Sequence, residues 1–260
     1  MALTAKSLIV YGLQVSADNE AIDFRAVALE TPRQATLRRG YYSLDTLANE
    51  VKRALESADP ARTYTVTVDR TAVGGTQNRF TVATSGAHFQ MLFLTGPRNA
   101  ATCCVLIGFS KADRTGALTY TGNATSGTAV SPEYVGYNYL STDHYQRNFG
   151  TVNVSASGVK ESVVFQVQEF AQVQFKYISK AAFDTLWKPL MRWMIQQRPV
   201  DFTPEITSPT VYFDGTLEST TADGKGLAYK MVEMLPQMPN MYDTGILIFR
   251  KRVEGTSFIV

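Results

Sequence analysis

The sequence of 260 residues predicts a mainly β fold with an α+β part: a β-barrel or sandwich domain with a packed helix, plus an inserted helix-and-sheet domain. Three observations predict it. Apolar and polar residues alternate with period two along most of the chain. One early stretch and one in the last third switch to a spacing of three and four, the mark of an amphipathic helix. Clusters of Gly, Pro, Asn and Asp divide these stretches from one another.

Residues 7–15 are apolar and β-prone. Ser16, Ala17, Asp18 and Asn19 make a turn cluster, and residues 21–29 follow with Ile22 and Phe24. This reads as a hairpin. Pro32 ends it, since proline lacks the amide a strand interior needs. Gly40-Tyr41-Tyr42 leads to Ser43, whose hydroxyl can accept from a free amide in the first turn of a helix. Leu44, Leu47, Ala48, Val51, Ala54, Leu55 and Ala58 form one face of that helix, with Asp45, Glu50, Lys52, Arg53 and Glu56 off it. Asp59-Pro60 stops it, because the residue before proline avoids the helical region. Tyr64, Val66 and Val68 then alternate with threonines. Phe80 and Val82, and Phe89, Met91 and Phe93, continue the strand pattern. A short helix carrying Cys103 and Cys104 is expected over residues 99–107, and one more strand at 118–120.

Residues 122–160 change composition to Gly, Asn, Ser, Thr and Val, with Tyr134, Tyr137, Tyr139 and Tyr145 among them. A polar but aromatic stretch suits lying across another surface, and tyrosine is enriched in interfaces. These four tyrosines are the candidate interface residues. Stacking on sugars or bases remains their alternative use. From Val163 the odd positions run apolar through Phe165, Val167, Ala171, Val173 and Phe175, in a long two-faced strand or strand pair. Glu169-Phe170 breaks the run, which reads as a bulge or bend. Ser179 caps a second helix with Phe183, Leu186, Trp187, Leu190 and Met194 on one face, and Pro189 kinks or restarts it. Residues 199–209 read as irregular. Strands at 211–213, 227–235 and 245–253, with turns at Asp214-Gly215 and Asp223-Gly224, form an antiparallel sheet or barrel packed on that helix.

Composition narrows the function classes. The chain is 45% hydrophobic and 18% charged, with 25 Lys and Arg against 23 Asp and Glu. That near-balance argues against a dedicated nucleic-acid binder, which carries a basic face, and against a disordered polar chain. No run of apolar residues is long enough to span a bilayer. No secretory signal is read at the start, so use without export by that route is expected. The two cysteines are adjacent, so a disulfide between them would close almost no loop. A buried Cys pair is favoured over a Cys-His nucleophile with His88. Two histidines, His88 and His144, are poor material for a metal site. Asp223-Gly224-Lys225-Gly226 reads as a hairpin turn in preference to a phosphate loop. Glu161, Glu169, Glu205 and Glu218 leave open a carboxylate pair for glycan hydrolysis. No catalytic set, cofactor site or metal site is assigned. Arg33, Arg38 and Arg39, and Arg250-Lys251-Arg252, read as solvated faces or interface ion pairs.

Gly40-Tyr41-Tyr42-Ser43-Leu44 opening a helix, then Arg79-Phe80-Thr81-Val82, Leu106-Ile107-Gly108-Phe109 with Asp113, and Thr119-Tyr120-Thr121, resembles a module of tailed-bacteriophage structural proteins. The helix with Trp187, followed by Arg198-Pro199-Val200-Asp201-Phe202-Thr203-Pro204 and the last strands, resembles the C-terminal part of siphophage minor tail proteins, distal tail proteins above all. The resemblance implies a ring-forming, tail-hub-like β-barrel domain from residues 1–35 and 150–260. It implies an inserted α+β domain at 36–130, and composition alone marks a tyrosine-rich arm or linker at 131–149. It further implies a hexameric ring between the tail tube and the tip hub and fibres, with phage DNA passing through but not specifically bound. Assembly would then take place in the bacterial cytoplasm and the finished protein would sit in the virion. A receptor- or carbohydrate-binding tip module and another tail or neck adaptor role stay open beside it.

Overall fold

The computed structural model describes residues 7–70, 78–131, 135–136, 145–154, 160–203, 213–218, 232–233 and 238–251. The fold is mainly β, with several sheets and two helical segments.

The chain opens with β1 (Leu8–Tyr11), β2 (Gln14–Val15), β3 (Ala21–Arg25), β4 (Arg33–Thr36) and β5 (Gly40–Tyr41). β1 and β3 do not form the expected hairpin. β3 pairs with β4 and with β8 (Phe89–Met91), whereas β1 pairs with two strands far along the chain. The reason lies in the side chains of β1. Leu8 and Val10 enter one hydrophobic core, and Ile9 and Tyr11 enter another. A surface hairpin would leave one of these faces in water, at a cost of about 1.5–3 kcal/mol for each large side chain.

Helix α1 (Leu44–Ala58) forms as its sequence dictates. Ser43 caps it in a box with Thr46: the Thr46 amide donates to Ser43 Oγ, and the Ser43 amide donates to Thr46 Oγ1. Leu44, Leu47, Ala48, Val51, Ala54 and Leu55 are buried. Glu50, expected off that face, is buried too. Its carboxylate accepts the Arg38 amide at 2.6 Å and binds the Arg53 guanidinium. Ser43→Ala is expected to lower stability by about 1–2 kcal/mol in urea unfolding, since it removes an N-cap.

Around α1 lie β6 (Tyr64–Asp69) and β7 (Arg79–Thr84), with β10 (Thr119–Thr121) on the outer side of β7. β9 (Arg114–Ala117) joins the β4-β3-β8 sheet at its edge. Phe24, Tyr64, Phe80, Phe89 and Phe93 fill this first core. β3 and β4 therefore belong with the α+β unit, which begins before residue 36. The short helix expected over residues 99–107 is only a 3-10 turn at Asn99–Ala101. Beyond it the backbone is held from outside: Thr102 bridges Ala21, and the Cys103 amide donates to the Ala21 carbonyl at 3.0 Å. Gly108 has φ of 76° and packs on the Ala124 carbonyl, so only glycine fits that turn.

The second core lies against a sheet of eight strands in the order β11-β1-β16-β17-β20-β14-β12, with β13 also on β14. Besides β1, its members are β11 (Thr128–Val130), β12 (Val135–Gly136), β13 (Tyr145–Val154), β14 (Lys160–Phe175), β16 (Val200–Thr203), β17 (Phe213–Leu217) and β20 (Ile246–Lys251). Among the described residues no pairing closes this sheet into a barrel. β15 (Ile178–Ser179), β18 (Val232–Glu233) and β19 (Met241–Asp243) make a small sheet beside it. β16 lies in the stretch expected to be irregular. Its four residues are all buried. Asp214-Gly215, expected as a turn, runs inside β17 because Asp214 pairs with Asp201 and Gly215 with Val200. The bulge in the long strand falls at Phe165, which is skipped in the β13 pairing, and not at Glu169-Phe170.

Ser179 caps the second helical segment, α2 (Lys180–Ala182), a π-wound turn (Phe183–Trp187) and α3 (Lys188–Ile195) in one run. The Lys188 amide reaches the Phe183 carbonyl, one residue further back than in an α-helix. That widening makes room for Pro189, which would otherwise crowd the preceding turn. Trp187, Leu190, Trp193 and Met194 are buried, while Leu186, expected on that face, is exposed. The π turn rotates the helix face, which explains the exchange of Leu186 for Trp193.

Candidate functional site

Tyr134, Tyr137 and Tyr139 lie outside the described residues. Tyr145 opens β13, opposite Phe170 of β14. Of the acidic residues considered for catalysis, Glu169 binds Lys251 at 2.6 Å and Glu218 meets Arg250 at 3.3 Å. Glu161 lies in β14, and Glu205 is outside the described residues. The early arginines are engaged as well. Arg33 binds Glu30 and the buried Asp59, and Arg39 binds Glu20 at 2.6 Å.

Cys103 and Cys104 are free thiols in the first core. Burial, and then the neighbouring Cys104, push the Cys103 thiol well above its ordinary range. A thiolate is disfavoured there, and thiol reagents act on the thiolate. Neither thiol of the native protein is expected to react with an aromatic disulfide reagent at pH 8. Both are expected to react once urea unfolds the chain, and the released chromophore counts them.

What the fold does bring together is the start of α1 and the middle of the large sheet. β1, β16 and β17 run side by side, so Val10, Asp201 and Asp214 form one row across three strands. That row faces the α+β unit, because Val10 is in the first core while Ile9 and Phe202, one residue away, are in the second. Asp201 Oδ2 accepts the Leu44 amide at 2.6 Å, and its Oδ1 accepts from Arg70 at 2.9 Å. Arg70 also reaches Asp45 at 3.0 Å. Ser43 Oγ donates to Asp214 Oδ2 at 2.6 Å. A carboxylate suits this place, since the first amides of a helix have no partner within it and carry partial positive charge.

The side chain of Asp201 is 1% exposed and that of Arg70 is 10% exposed. Burial pushes the Asp201 carboxyl above its ordinary range, while Arg70 and the Leu44 amide act against that push. Burial alone would lower the Arg70 guanidinium, but Asp201 and Asp45 hold it raised. Both Asp201 oxygens are engaged by the helix end and the guanidinium. The chemistry of this cluster is therefore that of a fastener, holding two units in one orientation.

A second contact lies three residues upstream of Asp201 on the same segment. The Arg198 guanidinium stacks over the Tyr41 ring at 4.1 Å and over the Trp193 ring at 4.9 Å. Tyr41 meets Trp193 edge-on at 5.3 Å, Tyr11 lies 6.0 Å from the same indole, and the indole N–H donates to the Pro199 carbonyl. Residues 41–45 thus hold the sheet unit by an aromatic-cation stack and by an ionic network. Sequence reasoning marked Tyr41 and Ser43 but missed Arg70, Asp201 and Asp214. The available signal was Asp201 itself, a carboxylate between Val200 and Phe202 in a run that alternates like a strand.

Among the described residues no group of three or more His, Cys, Asp or Glu is placed to hold a metal ion. No helix among them is long and apolar enough to cross a membrane. Neither a protein-family model nor a curated protein matches the chain.

Proposed function

We propose that the chain is a structural protein of a tailed-bacteriophage virion, a distal-tail or baseplate ring subunit that links the tail tube to the tip hub and fibres. One observation carries this reading. The two segments whose sequences resemble phage tail proteins, Gly40-Tyr41-Tyr42-Ser43-Leu44 and the stretch from Trp187 through Phe202, meet in space and fasten one unit to the other. The role is then mechanical. The large sheet supplies the tail-hub-like domain that forms a hexameric ring with its own copies. The α+β unit, held rigidly at the start of α1, faces the other tip proteins. A subunit in such an assembly has to keep its units in one orientation, because a ring closes only if each contact repeats at the same angle.

Negative-stain imaging of the purified protein tests this. Rings of uniform size, with a six-fold average, are the expected result. A protein that remains monomeric when concentrated, and that is missing from purified virions of the phage encoding it, overturns the reading.

A further inference from the structure

Arg198 stands between α3 and β16, two residues before the strand begins. Its guanidinium lies 4.1 Å from the centre of the Tyr41 ring and 4.9 Å from that of Trp193, and the two rings meet at 90°. Rings at a right angle hold a planar group from two sides, so the guanidinium is in place before any ligand arrives. Yet none of its N–H groups meets an acceptor among the described residues, and none of its nitrogens is sealed from solvent. A guanidinium carries five such donors. A ring takes the face of the group, whereas an acceptor meets its edge, so stacking leaves donors to spend.

Other arginines of the chain spend theirs. Arg33, Arg39, Arg53 and Arg98 each hold a carboxylate at 2.5–3.0 Å. Arg38 and Arg192 hold none among the described residues, but both are exposed and no described ring fixes them. Arg198 combines a fixed position with unspent donors.

We propose that Arg198 is a carboxylate-binding site, and that its occupant is an Asp or Glu side chain of a partner protein. A planar carboxylate fits the fork of a guanidinium with two parallel hydrogen bonds. The same joint already holds the carboxylates of Asp45, Asp201 and Asp214, which weighs against a doubly charged phosphate. The near-balance of charge in the whole chain weighs against nucleic acid. A protein source is favoured by the company Arg198 keeps. Tyr11, Tyr41 and Trp193 surround it, and Tyr, Trp and Arg are the residue types that carry most interface energy. Holding the side chain beforehand also spares the entropy that ordering it on binding would cost. The inference goes beyond the ring reading and does not depend on it.

Nuclear magnetic resonance of the full chain, labelled with ¹⁵N at tryptophan, tests it. The Trp193 indole N–H lies beside the site, on the Pro199 carbonyl, and Trp187 serves as the internal control. A Trp187→Phe variant assigns the two signals. The probes are sodium acetate and two capped tripeptides, Ala-Glu-Ala and Ala-Gln-Ala, at an ionic strength held constant with sodium chloride. Acetate and the Glu peptide are expected to shift the Trp193 signal saturably, with half-effect at about 10–50 mM, as charge-assisted hydrogen bonds alone would give. The Gln peptide should leave it in place. Arg198→Lys keeps the charge without the planar fork and should weaken binding about fivefold, and Arg198→Gln should abolish it. No saturable shift with acetate, or a shift that persists in Arg198→Gln, overturns the site. A response to inorganic phosphate with none to acetate overturns the carboxylate assignment. A response to acetate with none to the Glu peptide overturns the protein source. Six-fold rings, or their absence, bear on the ring reading alone and leave each of these outcomes unchanged.

Discussion

Asp201→Ala is expected to lower the unfolding free energy by about 3–5 kcal/mol, in the range found when one partner of a buried ion pair is removed. The change takes a partner from two groups. The Leu44 amide at the helix end loses its acceptor, and Arg70 loses its most deeply buried carboxylate while keeping Asp45. The row of β16 that faces the α+β unit also loses its single charged member. Urea unfolding followed by tryptophan fluorescence measures the loss, because Trp187 and Trp193 both sit in the second core. Asp201→Asn separates the two contributions. The amide keeps an oxygen for the Leu44 N–H but carries no charge for Arg70, so its loss should be smaller. Equal losses in the two variants would assign the whole effect to the ion pair. A loss below about 1 kcal/mol in Asp201→Ala would show that the fastener contributes little to stability.

Trp193→Ala is the second large effect, at about 3–5 kcal/mol. The indole is 8% exposed and touches Tyr11, Tyr41 and Arg198, so its removal opens a cavity where both units meet. The Pro199 carbonyl loses its donor as well. Trp193→Phe keeps most of the volume and should restore more than half of the loss. Both variants can be read in the same urea titration through the remaining Trp187. An unchanged midpoint for Trp193→Ala would contradict the packing described for this joint.

The local parts of the fold were legible in the sequence. α1 shows in consecutive residues: a serine cap, seven apolar residues on one face, and a stop at Asp59-Pro60. The alternation of Tyr64, Val66 and Val68, and of Phe80 and Val82, likewise matches the β6 and β7 pairing. What failed were statements about distant partners. β1 looked like half of a hairpin because a turn cluster follows it, and nothing nearby announces Phe202 and Val130 as its neighbours. β16 was hidden by its flanking prolines, and Asp214-Gly215 resembles a turn until its register with Asp201 is known. Glu50 shows the same limit. Its charge placed it on the outer face of α1, and only Arg53 and the Arg38 amide make its burial tolerable. The joint is built from such long-range choices, which is why three of its polar residues escaped notice.

The place of β1 also has a consequence for synthesis. Its residues divide between the two cores, and its strand partner Asp201 is encoded about 190 residues after Val10. On a ribosome adding 5–20 residues per second, that separation is a wait of roughly 10–40 s. During that interval the nascent first unit lacks the sheet that covers Ile9 and Tyr11, and the second core cannot close without them. The late arrival of β16 is therefore the event that commits both halves of the molecule at once. A chain released before Thr203 would leave an apolar strand uncovered near its start, which marks it for chaperones.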